Sequence, residues 1–249
     1  MDNYEVLKGY FQDKKIDSAL FDEIADFLLN KCIIRVGDKN YRLLEIEFYL
    51  CSSSHQDLIT YPRNDEKGGN WFFHQSGVDI CFKSSCMPAS EDGKYCLSND
   101  NRFGGILIRS MIEIDDKMNY LPKSEPKPIH GPMKCMDALF KTFGALDDNR
   151  NESQIPFIDE CFSLSEETVM KTQRHIPIKN TAEDKIESIL KNTYNADISS
   201  ATDLIKKAAE FIKKDTPYKY RYYIEPKIES LWKNYQAKPR NDTPVSKKV

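Results

Sequence analysis

The sequence predicts a mixed α+β protein in which helices flank a β-sheet. Between residues 33 and 110, short apolar runs are separated by Gly, Ser, Asn and Asp, which is typical of strands and turns. Before and after that region, apolar residues recur at helical spacing. The chain has 249 residues, 40% of them hydrophobic, so it is long enough to bury a sizeable core.

Two amphipathic helices are predicted at the N-terminus, over residues 2–12 and 17–31. Asp17 or Ser18 is a candidate N-cap for the second helix. We expect them to form a helical extension, residues 1–32, added to the sheet domain.

The strands of the sheet are expected in five runs. These are CIIRV, YRLLEIEFYL, WFFH, VDICF and GGILIRSMI, at residues 32–36, 41–50, 71–74, 78–82 and 104–112. In the second run, Ile46 and Phe48 alternate with Glu45, Glu47 and Tyr49. One face of that strand is therefore core, and the other is wet or functional.

A proline-rich segment, 118–132, follows the strands and is expected to run extended over the surface. Pro132 then opens a helix that should end near Gly144. Thr181 begins a further helix with a box-like cap to Asp184.

The rest of the chain predicts one more amphipathic helix, 201–214, and a final strand in PYKYRYYIEP, residues 217–226. Residues 237–249 contain too few apolar side chains to fold and are expected to be a disordered tail. The main α+β domain is accordingly placed at 33–236. No repeat of 20 to 50 residues is visible.

The charge of the chain is −3 overall, but it is unevenly distributed, with −7 on residues 1–180 and +4 on residues 181–249. An acidic whole argues against strong nonspecific binding to nucleic acid, whereas a local basic surface can still contact phosphates.

Seven cysteines at scattered positions favour reduced thiols over a disulfide framework, and no paired CxxC spacing indicates a zinc site. The N-terminus MDNYEVLKGYFQDKK has acids and lysines where a signal peptide has an apolar run. We therefore expect a soluble cytoplasmic monomer with no metal and no membrane contact.

Several residues near the second strand have the chemistry of a site for a planar heterocycle. Glu47 and Tyr49 share a face, His55 follows the strand, and the aromatic run WFFH comes next. A carboxylate, an imidazole and flat rings can stack a base and activate a water. The bland alternative is that Glu45 and Glu47 are solvated strand residues.

The order of these motifs resembles the alkyladenine (3-methyladenine) DNA glycosylase family. The resemblance covers about residues 40–225 and rests on seven blocks in the family's order. The blocks are EIEFYL (45–50), His55, YPRN (61–64), GNWFFHQSGVDICF (69–82), GILIRS (105–110), GPMKCMDAL (131–139) and KYRYY (219–223).

The resemblance implies a curved, mainly antiparallel sheet and a cofactor-independent hydrolase that excises modified purines from DNA. It makes Glu47 the general base that activates water, Tyr49 and Phe73 the stacking walls, and His55 a hydrogen-bonding group near the flipped base. Lys83 stands where the family has a base-selecting asparagine.

The resemblance also implies a set of DNA-binding residues. They are Arg63, Asn64, His74, Gln75, Ser76, Arg109 and Lys134. Ser76 replaces the tyrosine that fills the gap left by a flipped base, so the wedge is either lost or relocated to Gln75 or His74. Arg221 of KYRYY is expected to pack.

Alternatives remain open for several of these residues. Phe73 serves either the pocket or the core, and Arg109 either contacts DNA or pairs with Glu45 or Asp79. His130 is expected to be a surface or loop histidine whose ring nitrogens are hydrogen-bonded. A second reading of the whole chain is a non-catalytic protein on the same fold that binds single-stranded nucleic acid or a free modified nucleobase.

Overall fold

The computed structural model describes residues 3–12, 16–89, 92–141, 154–214, 216–225 and 243–245. Its helices are α1 (Asn3–Gln12), α2 (Phe21–Lys31), α3 (Pro132–Phe140), α4 (Ala182–Thr193) and α5 (Thr202–Glu210). Its strands are β1 (Cys32–Val36), β2 (Lys39–Ser52), β3 (His55–Gln56), β4 (Trp71–His74), β5 (Gly77–Cys81), β6 (Phe103–Ile114), β7 (Ile129–His130), β8 (Phe157–Glu160), β9 (Thr168–Thr172), β10 (Arg221–Glu225) and β11 (Thr243–Pro244).

All of these strands join one sheet with the central order β11-β9-β10-β2-β6-β5-β4, and each ladder between them is antiparallel. The strand β1 pairs with the start of β2 and with β8. The prediction of an α+β protein with a mainly antiparallel sheet is confirmed.

The long pair β2 and β6 forms the centre of the sheet, and its register is irregular beside Glu45. Leu43 pairs with Met111, Glu45 with Ser110 and Ile46 with Ile108. Each strand therefore has one extra residue there, Leu44 in β2 and Arg109 in β6. Such β-bulges change the direction in which neighbouring side chains point, and these two lie beside Glu45.

The main core lies on the face of β2 that carries Ile46, Phe48 and Leu50, all at most 1% exposed. The ring of Phe21 stacks on Phe48 with centroids 4.4 Å apart. Buried residues of α1 and α2 belong to the same apolar cluster as the sheet. The N-terminal helices thus contribute side chains to the central core.

A smaller apolar cluster joins α4 and α5 to the end of β2 and the start of β6. The predicted capping box at the start of α4 is present, since Thr181 accepts from the Asp184 backbone and the Asp184 carboxylate accepts from the Thr181 backbone. Pro132 occupies the first turn of α3, as predicted. Gly144, the expected end of that helix, lies outside the described residues.

The expectation of a disordered tail is wrong for residues 243–245. Thr243–Pro244 forms β11, which pairs with β9, and the backbone N–H of Val245 donates to Val169. Backbone pairing with a sheet edge needs few apolar side chains. The remaining residues of the expected tail lie outside the described part of the chain.

All seven cysteine thiols are free, and six of them are buried. Among the described residues, no helix has the length and apolarity to cross a bilayer. Within the same part of the chain, no group of three or more His, Cys, Asp or Glu side chains is placed to hold a metal ion.

Candidate active site on the charged face of the sheet

The face of β2 opposite the core carries Glu45, Glu47 and Tyr49. The two glutamates are 0% and 1% exposed, so they are not solvated strand residues. Charged side chains are seldom this buried unless they are paired. We call this side of the sheet, with the ionised residues that line it, the charged face.

Glu45 is fully engaged by its neighbours. Its Oε1 accepts from Arg109 Nε at 3.1 Å and from Arg221 Nε, and its Oε2 accepts from Ser110 Oγ at 3.0 Å. The alternative that Arg109 pairs with Glu45 is confirmed, and the expected packing role of Arg221 becomes an ion pair. Two guanidinium groups therefore offset the cost of burying this carboxylate.

Glu47 has one bonded oxygen and one unbonded oxygen. Its Oε2 accepts from the Tyr49 hydroxyl at 2.7 Å and from Arg109 NH1 at 3.2 Å. Its Oε1 is buried and has no hydrogen-bond partner, and Arg221 Nε lies 4.0 Å from it. A buried carboxylate oxygen is normally satisfied, so this atom is open to a hydrogen-bond donor such as water.

Tyr49 is held between a carboxylate and a cation. The guanidinium of Arg174 lies 4.5 Å from its ring centroid and also bonds both oxygens of Asp57, at 2.7 and 3.1 Å. Burial, together with the charge of Glu47, raises the pKa of Tyr49 well above 10. Tyr49 is thus a protonated donor to Glu47, and one side of its ring is covered by Arg174.

Arg174 and Asp57 are residues that sequence reasoning missed. They are 117 positions apart, and both side chains are at most 2% exposed. A single Arg and a single Asp at that separation carry no spacing signal. Only the long-range fold brings them together.

A second ion pair continues the charged face onto β5. Arg63 NH1 donates to Asp79 Oδ2 at 2.8 Å, and His74 Nε2 lies 3.0 Å from Asp79 Oδ1. Asp79 pairs with Leu107 in the ladder, and Leu107 pairs with Glu47. The predicted DNA contacts Arg63 and His74 are instead buried inside the sheet network.

The turn between β4 and β5 carries the candidate wedge residues. Gln75 and Ser76 are both exposed there. Gln75 Nε2 donates to the Tyr61 hydroxyl at 2.9 Å, and Ser76 Oγ lies 3.4 Å from that hydroxyl. Tyr61 was not singled out from the sequence, although it begins the YPRN block.

Phe73 does not face Glu47. In the β4–β5 ladder Phe73 pairs with Val78, whereas Phe72 pairs with Asp79 of the charged face. Phe73 is 53% exposed and packs against Phe140 at 4.7 Å on the other side. Of these two phenylalanines, Phe72 is therefore the one on the charged face, and Arg63 lies over its ring at 4.0 Å.

His55 also lies on the opposite side of the sheet. It pairs with Ser52, which shares the face of Phe48 by the alternation of β2. Its ring centroid lies 4.6 Å from Phe211 and 5.3 Å from Tyr220. We expected His55 and Phe73 to converge with Glu47 and Tyr49, and this expectation is wrong. Side chains alternate between the two faces of a strand, and both of these side chains point to the opposite face.

The remaining predicted residues lie around the ends of the sheet. Lys83 is half-buried just after β5, and its backbone N–H donates to Phe11 O at 2.7 Å. Asn64 Oδ1 accepts from the backbone N–H of Cys86 at 2.6 Å, which holds two loops together. Lys134 is exposed on the first turn of α3, where it can reach a phosphate.

The chemistry available at Glu47 is that of a positioned base. Tyr49 and Arg109 fix one carboxylate oxygen, and the other oxygen can accept a hydrogen from a water. Arg109 and Arg221 bring two positive charges to the two glutamates, which offsets the cost of burying the carboxylates.

Comparison with models of known protein families gives no match. The chain is similar to an uncharacterized protein of Acanthamoeba polyphaga mimivirus, with 30% identity over 109 residues. The similarity covers 40% of this chain and 50% of the relative, so the chain spans about half the length of that protein.

Proposed function

We propose that the protein is a hydrolase of the DNA glycosylase type, with the fold of the alkyladenine DNA glycosylase family, that removes modified purines from DNA. The observation that carries the proposal is the buried Glu47 Oε1, which has no hydrogen-bond partner. The other oxygen of the same carboxylate is held by the Tyr49 hydroxyl. A water bonded to that atom is oriented by it and can transfer a proton to it.

In the proposed reaction, the water oxygen forms a bond to the sugar C1′ while the bond from C1′ to the purine nitrogen breaks. The bonding electrons leave with the purine, and the water proton passes to Glu47. A purine such as 3-methyladenine carries positive charge and departs as a neutral base, so it needs no metal and no covalent enzyme intermediate. Hypoxanthine and ethenoadenine are uncharged, depart as anions and take up a proton from solvent. Tyr49 and Arg109 keep the carboxylate in place.

The test is an abasic-site assay on DNA that carries 3-methyladenine, hypoxanthine or ethenoadenine. We expect alkali-labile sites from the wild type and a loss of at least about a hundredfold in Glu47→Gln, since a positioned base contributes about that much or more. Glu113→Gln, a carboxylate of β6 that pairs with Lys39 at 2.8 Å, is the matched control and should retain activity. Activity in Glu47→Gln equal to wild type would contradict the proposal.

The hairpin between β4 and β5 is the proposed contact with the base stack of the DNA duplex. Gln75 is exposed at its tip and bonds the Tyr61 hydroxyl, whereas the His74 side chain is buried against Asp79. Gln75 is also larger than Ser76, so it is the side chain that we propose enters a duplex. Gln75→Ala should lower excision from duplex DNA and leave excision from a single strand unchanged. Equal effects on both substrates would remove this role.

A second candidate function is binding without catalysis, to a single strand or a free modified nucleobase. It is favoured because Arg63 and Arg109 are both engaged by carboxylates, and because Ser76 is too small to fill a base stack. It predicts no product from any of the three lesions, with binding that persists in Glu47→Gln. Fluorescence anisotropy on labelled oligonucleotides measures that binding.

A further inference from the structure

A small cavity lies at the far end of β2, apart from the charged face. It is bounded by the turn after β2, the loop before β6, the end of α4 and the start of α5, and its volume is about 190 Å³. None of the ionised residues of the charged face lines it. The cavity is therefore a separate feature with its own chemistry.

The floor of the cavity is firmly packed and apolar except for the hydroxyl of Tyr194, which has no hydrogen-bond partner. Leu58, Phe103 and Tyr194 line it and are at most 2% exposed, and all three belong to the cluster that joins α4 and α5 to the sheet. Leu204 of α5 closes one side. Because these walls come from several elements, the cavity is formed before any ligand arrives.

The rim of the cavity is polar and uncharged. Ser53, Gln56 and Asn99 bring one hydroxyl and two carboxamide groups to this rim. Although 30% of the chain is charged, none of the twelve lining residues is Asp, Glu, Lys or Arg. An ionic ligand would meet no counter-charge there, whereas carboxamides and hydroxyls pair with a neutral polar edge.

We propose that this cavity binds an uncharged, ring-sized molecule with a carboxamide-type hydrogen-bonding edge. Cavities of about 150 Å³ with apolar walls hold one benzene-sized ring, so this one has room for a ring and a small polar substituent. The ring contacts Leu97 and Leu204, the lining leucines that keep accessible surface, and the polar edge is bound by Gln56 and Asn99. The proposal does not depend on the reaction at Glu47.

The probes are benzamide, benzoate and toluene, which share one ring and differ in the group attached to it. Backbone amide NMR signals of the cavity residues are followed during titration. We expect saturable shifts with benzamide and at least about tenfold weaker binding of benzoate and of toluene, because the rim offers no cation and an apolar substituent leaves it unpaired. No shift with benzamide, or equal binding of benzoate, would overturn the proposal.

Two variants locate the binding. Leu204→Trp fills the cavity and should abolish the shifts, whereas Lys206→Trp places the same side chain on the exposed face of α5 and should not. Gln56→Leu keeps the volume and should weaken benzamide at least about fivefold without strengthening benzoate. If benzamide binds Leu204→Trp as it binds the wild type, the ligand is elsewhere and the assignment is wrong.

Discussion

Ile46 and Glu47 are neighbours on β2, and their side chains are removed from solvent to the same degree, at 0% and 1% exposure. On the side of Ile46, burial itself is stabilising, by about 1.5–3 kcal/mol for a large apolar side chain. On the side of Glu47, burial is costly and is tolerated only because two arginines and a tyrosine surround the carboxylates. Equal burial therefore has opposite energetic consequences on the two faces, and the exposed fraction alone does not tell them apart.

The largest effect expected on stability is from breaking the charged face at Glu45. Glu45→Gln removes the charge shared by Arg109 and Arg221 and should lower the free energy of unfolding by about 3–5 kcal/mol, measured by urea denaturation. The double variant Glu45→Met with Arg221→Met should recover much of that loss. A loss below about 1 kcal/mol in Glu45→Gln would mean that the pairing does not hold this face.

A polar group on the core side gives the next effect, which depends on pH. Burial, opposed in part by Asp57, lowers the pKa of His55 below its usual 6.5. Below pH 6.5 the unfolded chain therefore takes up a proton that the folded chain does not. The free energy of unfolding should fall with decreasing pH by up to about 1.4 kcal/mol per pH unit until the folded pKa is reached.

The pH effect is measured as the difference in slope between wild type and His55→Leu from pH 7.5 to 5. The exposed His175→Gln is the control and should keep the wild-type slope. An unchanged slope in His55→Leu would show that the buried imidazole is not the titrating group.

A smaller change in the free energy of unfolding is expected from a substitution on the apolar face of β2. Ile46→Val removes one methylene from the centre of the core and should cost about 0.5–1.5 kcal/mol in the same urea experiment. It should leave the proposed base excision at the wild-type rate, because Ile46 points away from Glu47. An excision rate that falls by tenfold would show that the two faces are coupled.

The smallest effect is expected at Tyr194, whose buried hydroxyl has no hydrogen-bond partner. Tyr194→Phe should raise the free energy of unfolding by up to about 1 kcal/mol, since an unsatisfied polar group is removed. Tyr222→Phe is the matched case, because that hydroxyl donates to Asp22 at 2.7 Å and its loss should destabilise. Equal changes in both would show that the bond to Asp22 adds nothing.

Much of the fold could be predicted from the sequence, because strands and helices have local periodicity. The alternation around Glu47, the proline that opens α3 and the cap at Thr181 are all local signals. The place of α1 and α2 in the central core was missed, because an amphipathic helix does not state what its apolar side covers. The pairing of Thr243–Pro244 with an edge strand also has no local signal.

The candidate site was less predictable, because it depends on which face of a strand each side chain occupies and on residues that are far apart in the sequence. In WFFH either Phe72 or Phe73 can face the site, and only the pairing with Asp79 decides for Phe72. The contact of Arg109 with Glu45 was foreseen as an alternative, whereas that of Arg174 with Asp57 was not. The extra residue at Arg109 in β6, which aims that side chain at both glutamates, leaves no trace in the pattern.

The pairing of Arg221 with Glu45 has a consequence for synthesis of the chain on the ribosome. Glu45 and Glu47 emerge early, but one of the cations that neutralises them lies 176 positions after Glu45. Until that residue is translated, the nascent protein carries an excess of negative charge on strands that cannot yet be desolvated. The ion pairs around Glu45 and Glu47 are thus completed only at a late step in translation. Fragments that end before Arg221 should lack the pair with Glu45.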